Sequence, residues 1–201
     1  MIANSTMSYL QGFRVLVVPG LYNSGPEHWQ TRWQRLHPGF ERVEQANWDV
    51  PDLDVWSERL AAELNKSSMP TVIVAHSFGC LTSVHRVGQN SSNIAGALLV
   101  APADPQKFGL AERLHPVRLP MPSIVIGSTN DPWMTGSRAA YWADCWGSDF
   151  FNAGPLGHIN AESGLGDWRF GLFCLQQLVL DIKFRQRLVR HKRPLYVGTA
   201  V

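Results

Sequence analysis

A three-layer α/β fold, one mostly parallel sheet of about six strands with helices on both faces, is predicted by three features of this 201-residue chain. Short aliphatic and β-branched runs alternate with stretches long enough for a helix, which is the pattern of a parallel sheet covered on both sides. Apolar residues make up 45% of the chain and charged residues 17%, enough apolar surface for one core and too little charge for a disordered chain. No repeat, low-complexity tract or interdomain linker interrupts the pattern, and the length suits one compact domain.

The strands fall at 14–18, 41–45, 71–75, 96–100, 123–127 and 149–152. Helices are predicted at about 27–37, 52–66, 78–89, 134–146 and 168–185. Asp52 is placed to cap the second of these, whose Val55, Trp56, Leu60 and Leu64 form one apolar face toward the sheet. Pro102, Pro105, Pro116, Pro120 and Pro122 crowd the connection between the fourth and fifth strands, so it has little room for helix. It is the candidate lid, and at about 20 residues it is too short for a separate cap domain. Residues 1–12 read as an N-terminal extension, 13–185 as the folded domain and 186–201 as a basic C-terminal tail.

Composition also narrows the class of function. The net charge of +2 gives no general case for nucleic acid, although Lys183, Arg185, Arg187, Arg190, Lys192 and Arg193 supply six of the 18 cations. That cluster carries no fold signature of a nucleic-acid site and reads as a solvated terminus. Cys80, Cys145 and Cys174 form no C-x-x-C pair and have no His at metal-ligand spacing, so neither a metal site nor a disulfide framework is expected. No signal peptide and no membrane span is evident, and free thiols fit a soluble, cytoplasmic protein without a cofactor.

In a parallel sheet ligands bind beyond the carboxyl ends of the strands, so the residues that follow each strand carry the functional argument. After the third strand stands Ala75-His-Ser-Phe-Gly79, leading straight into a helical pattern. This is the strand, sharp turn and helix that lifts a serine nucleophile, here Ser77, with small residues two positions to either side. After the fifth strand comes Ser128-Thr-Asn-Asp131, and after the sixth Gly157-His158. The order Ser, Asp, His brings all three residues to one sheet edge and is the order of α/β-hydrolases. A serine hydroxyl needs an imidazole to take its proton, and the imidazole needs a carboxylate to fix its tautomer; His158 and Asp131 meet those needs. Asp104, beyond the fourth strand, is the second candidate for the acid, although it is also placed to cap a turn before Pro105.

The developing oxyanion requires backbone N–H donors, expected from Phe78 after the nucleophile and from Leu21 in the loop after the first strand. That loop, Pro19-Gly-Leu-Tyr-Asn-Ser-Gly-Pro26, also spans G-x-x-x-x-G, but Pro26 and Glu27 stand where a phosphate loop needs Lys and Ser or Thr. Tyr22, His28, Trp29 and Trp133 are candidates for the rim of a substrate pocket, with Trp48 also near the sheet edge. His76, beside the nucleophile, should point away from it and serve packing or a structural hydrogen bond. His85 and His115 have no chemical context beyond their own side chains.

With these segments in place, the chain resembles the small serine hydrolases similar to retinoblastoma-binding protein 9 and the bacterial YdeN proteins. The resemblance runs from about Phe13 to Leu178 through Val18-Pro-Gly-Leu, Ser24-Gly-Pro-Glu-His-Trp29, Asn47-Trp-Asp, Ala75-His-Ser-Phe-Gly79, Asp131-Pro132 and Gly157-His-Ile-Asn-Ala-Glu-Ser-Gly164. It implies a compact α/β-hydrolase fold without a large cap and a triad at Ser77, Asp131 and His158. Ala75 departs from the general G-x-S-x-G pattern but agrees with the A-H-S-x-G form of this family. The expected activity is hydrolysis of a small carboxylic ester, with an amidase or aminopeptidase as the nearer alternative and a non-catalytic binding protein as the other. No nucleic-acid or membrane partner is expected.

Overall fold

The computed structural model describes residues 7–191. Its twelve helices and strands run β1 (Arg14–Val18), α1 (Trp29–Leu36), β2 (Phe40–Arg42), α2 (Leu53–Leu64), β3 (Thr71–His76), α3 (Phe78–Gln89), β4 (Ile94–Val100), α4 (Ala111–Leu114), β5 (Ser123–Gly127), α5 (Gly136–Trp146), β6 (Asp149–Asn152) and α6 (Arg169–His191), with one short 3-10 turn before β1 and two between later elements. The strands pair in the order β2-β1-β3-β4-β5-β6, and every pairing is parallel. Strand order reverses between β1 and β3, so the loop after β1 and the turn after β3 open onto the crevice where such sheets bind ligands.

The alternation of side chains along each strand divides the core in two. Leu16, Val18, Ile73, Ala75, Leu99 and Val125 face α2, α3 and α5. Val15, Val17, Val72, Val74, Leu98, Val100, Ile124 and Ile126 face α1 and α6. The central strands are buried on both sides, which is why they read as unbroken aliphatic runs. Tryptophans fill both layers: Trp29 and Trp33 beneath one face, Trp56, Trp142 and Trp146 beneath the other.

Several sequence expectations are adjusted. The second strand lies at Phe40–Arg42 instead of 41–45 and pairs only with β1, because Val43 is already the end of the ladder and the chain then turns away from the edge. Asp52 caps α2 as expected, accepting from the N–H groups of Asp54 and Val55, but Val55 is half exposed, and Trp56, Leu60 and Leu64 carry the packing. The fourth strand begins two residues earlier than expected, at Ile94, and the last helix runs past 185 to His191. The proline-rich connection holds a 3-10 turn at Pro105–Phe108 and one turn of α4, with no cap domain. Among the described residues no helix is long and apolar enough to cross a membrane.

Candidate active site

Ser77 sits between β3 and α3 with φ 52° and ψ −123°, a conformation that costs a non-glycine residue energy and persists only where its surroundings enforce it. The enforcement is visible. Its N–H donates to the Val100 carbonyl at 3.1 Å, and its own carbonyl accepts from Cys80 N–H at 3.0 Å. Gly79 is pressed against the Val18 and Pro19 carbonyls so closely that a Cβ there would overlap them. The residue two positions after the serine is therefore glycine for lack of space, while Ala75, on the other side, fits in full burial.

His158 Nε2 is 2.9 Å from Ser77 Oγ, and His158 Nδ1 is 3.0 and 2.9 Å from the two carboxylate oxygens of Asp131. A carboxylate can only accept, so the Nδ1 proton belongs to the Asp131 side and Nε2 is free to take the serine proton. The carboxylate is almost fully buried and also accepts the Trp133 N–H at 2.8 Å, which fixes its plane. The loops that carry the acid and the imidazole are joined directly: Asn130 Oδ1 accepts from Gly157 N–H at 2.7 Å, and Ser128 Oγ accepts from Leu156 N–H at 3.0 Å.

The two expected oxyanion donors are both available. Tyr22 N–H donates to the Trp48 carbonyl and Asn23 N–H to the Gly20 carbonyl, whereas among the described residues the N–H groups of Leu21 and Phe78 have no acceptor. Phe78 opens α3, where backbone donors and the helix dipole favour negative charge. Buried Gln30 donates to the carbonyls at the ends of β1 and β3, Val18 at 3.4 Å and Val74 at 3.0 Å, tying together the strands that carry the two donor loops. Nothing in the sequence marks Gln30 or Asn130, because a lone amide carries no spacing signal.

The four pocket candidates separate into two pairs. Tyr22 is 74% and Trp133 54% exposed, and the Trp133 ring centre lies 6.3 Å from that of His158, so this ring can form a wall of the site. Lys107 Nζ stands 5.7 Å over the same ring. His28 and Trp29 do not line a pocket, a correction to the expectation: both are buried in the layer beneath the sheet edge. Trp29 Nε1 donates to the Ile159 carbonyl at 2.8 Å, and His28 caps α1 by accepting from Gln30 N–H. Their place at the start of a helix hid this, since capping and packing draw them inward. Trp48 is half-buried against Trp56.

Asp104 is not brought to His158. Its two oxygens engage Arg138 at 2.6 and 2.8 Å, and it caps the 3-10 turn through Gln106 N–H. Burial works to raise its carboxyl, but the Arg138 bond and the cap outweigh it and hold the group below the usual carboxylate range. Cys80, next to the turn, is fully buried, and burial pushes its thiol well above the ordinary value, so it is no competing nucleophile. His76 is buried as expected and bonds the His158 carbonyl. His85 lies far from this edge, between Asp54 and Arg113.

Known proteins share this fold. A serine hydrolase family model matches residues 15–177. A YdeN-like hydrolase from Pectobacterium atrosepticum is 40% identical, with 87% of this chain and 94% of that one aligned and a TM-score of 0.83. The ydeN gene product from B. subtilis is 20% identical over 75% of this chain and 89% of its own, with a TM-score of 0.61. A monoacylglycerol lipase from Paleococcus ferrophilus shares the fold at 13% identity, 84% and 94% coverage and a TM-score of 0.67. No curated protein sequence gives a significant match. The family match across most of the chain, with the high identity to a YdeN-like hydrolase, makes this protein a member of the serine hydrolase family and a small α/β-hydrolase of the YdeN type.

Proposed function

We propose that this protein hydrolyses a carboxylic ester of a small substrate through an acyl-enzyme on Ser77. The observation that carries the reading is the unbroken line from Ser77 Oγ to His158 Nε2 at 2.9 Å and from His158 Nδ1 to Asp131 at 2.9 Å. In the forward step Oγ attacks the carbonyl carbon while Nε2 takes its proton, and the amides of Leu21 and Phe78 receive the oxyanion. The imidazolium, steadied by Asp131, then protonates the departing alcohol. Water repeats the sequence on the acyl-enzyme, releasing the acid and returning the proton to Ser77. No metal or cofactor is called for by this chemistry. The free thiols of Cys80, Cys145 and Cys174 support a reducing, cytoplasmic setting.

The direct test is a fluorophosphonate probe followed by intact mass, with Ser77→Ala as control, because labelling requires an activated serine and ignores substrate identity. One adduct, lost in the variant, is expected. Folded wild-type protein that takes no label would overturn the reading in favour of a binding role on the same fold. Matched aryl esters and aminoacyl amides then separate esterase from amidase, with faster ester hydrolysis expected.

A further inference from the structure

The hydrogen bonds of the His158 ring locate its two nitrogens, but the backbone that carries the ring is loop, and Ile159 just beyond it has φ 47°. Three groups of contacts hold this loop. Upstream of His158, the N–H groups of Leu156 and Gly157 donate to Ser128 Oγ and Asn130 Oδ1. Downstream, Ile159 is fully buried and its carbonyl accepts from Trp29, while Asn160 and Ser163 cap the turn that follows. At His158 itself, the carbonyl oxygen accepts from His76 Nε2 at 2.9 Å. His76 is the last residue of β3, immediately before Ser77. The strand that presents the serine thus also grips the peptide that presents the imidazole.

The protons in this contact are determined. A carbonyl can only accept, so His76 carries its proton on Nε2. Its ring is buried between those of His28 and His158, with centre separations of 4.7 and 4.9 Å. His28 accepts from Gln30 N–H through Nδ1, so its own proton lies on Nε2, a buried atom with no hydrogen-bond partner among the described residues. Burial keeps both rings neutral. They form a buried, uncharged support under His158.

We propose that His76 is a positioning residue for the reaction, setting the distance of His158 Nε2 from Ser77 Oγ through the His158 carbonyl. This rests on the hydrolase reading above. Because the upstream and downstream anchors remain when His76 is changed, the loop keeps its course while the His158 peptide between them gains freedom to rotate. Displacements of about 1 Å in reacting groups cost about a hundredfold in rate.

The test compares three variants by steady-state kinetics on an aryl ester, with active sites counted by fluorophosphonate titration and folding checked by thermal unfolding. His76→Met keeps bulk without a donor; kcat per titrated site is expected to fall roughly 10- to 100-fold with KM within about twofold. His76→Asn, whose amide is too short to reach the carbonyl, is expected to behave likewise and serves if the Met variant does not fold. His76→Gln places an amide nitrogen close to the position of Nε2 and is expected to restore kcat to within about threefold. A folded Met or Asn variant with wild-type kcat, or a Gln variant as impaired as both, overturns the positioning role and leaves His76 as packing. Wild-type protein that takes no label overturns the hydrolase reading, and this proposal with it.

Discussion

Gly20 lies directly under Ser77: a Cβ on Gly20 would stand 2.6 Å from Ser77 Cβ and 3.2 Å from its Oγ. The glycine's own φ is not in the left-handed region, so its backbone conformation is open to alanine. The constraint is space alone. Gly20→Ala must push either Ser77 or the loop that carries Leu21 N–H, and the proposed reaction needs both where they stand. A loss of at least about 100-fold in kcat is expected, with thermal unfolding showing a folded protein. Labelling of Gly20→Ala by the fluorophosphonate at the wild-type rate would show that the site tolerates the shift.

Asp131 and Asp104 are both buried carboxylates at the same sheet edge, and their partners assign them different work. Asp131 faces His158 and Trp133 N–H, whereas Asp104 is occupied by Arg138 and by a cap. Asp131→Asn offers His158 an amide that favours the wrong tautomer, and kcat is expected to fall by about 10⁴. Asp104→Asn retains a capping side chain but loses the charge opposite Arg138. Its kcat should stay within a few-fold of wild type, and its cost should show as about 1 kcal/mol in denaturant unfolding. Reversal of the two results would move the acid to the fourth strand.

Much of this site was legible because α/β topology converts sequence order into place: whatever follows each parallel strand meets at one edge. Ser77, Asp131 and His158 could therefore be named from type and order, and Leu21 and Phe78 from their offsets to strand ends. The pocket was less legible. His28 and Trp29 share the site's edge in sequence, but their side chains turn inward to cap α1 and to bond Ile159, which only the packing reveals. Gln30, Asn130 and Gly20 act through bonds or contacts to segments 12 to 57 residues away. Nothing in their local sequence reports those partners. The end of α6 lies past the expected 185 for the opposite reason: Arg187 and Arg190 give the segment the look of a basic tail, yet Gln, Arg and Leu are good helix formers.

Trp133 is an exposed ring 6.3 Å from that of His158, and Lys107 Nζ stands over the same ring. A wall that touches substrate without touching the reacting atoms contributes to binding more than to the chemical step. Trp133→Ala is expected to raise KM for an aryl ester by about 3- to 10-fold with kcat changed less than about threefold. A fall in kcat alone would instead make the ring part of the support for Asp131, whose carboxylate accepts the Trp133 N–H.

Stability should fall on mild acidification, and the buried histidines set the window. Burial, with the Arg42 charge and His158, pushes His28 from 6.5 down to about 3, and burial pushes His76 well below its ordinary value. Between those two values the unfolded chain binds a proton at His28 that the folded protein refuses, so stability is complete above about pH 6.5 and is lost as pH falls. For one such group the slope is about 1.4 kcal/mol per pH unit, or about 2 kcal/mol by pH 5, and His76 adds in the same direction. Glu41 and Asp104, whose carboxyls are held low, also lose stability on acidification, but below the range where free carboxylates titrate, near pH 4. The interval from pH 6.5 to 5 therefore belongs to histidine. Denaturant unfolding at several pH values across it should show a steep decline for wild type. His28→Asn, which keeps a capping side chain for α1, should start less stable and decline about 1.4 kcal/mol per pH unit less steeply; an unchanged slope would place the titration in other groups.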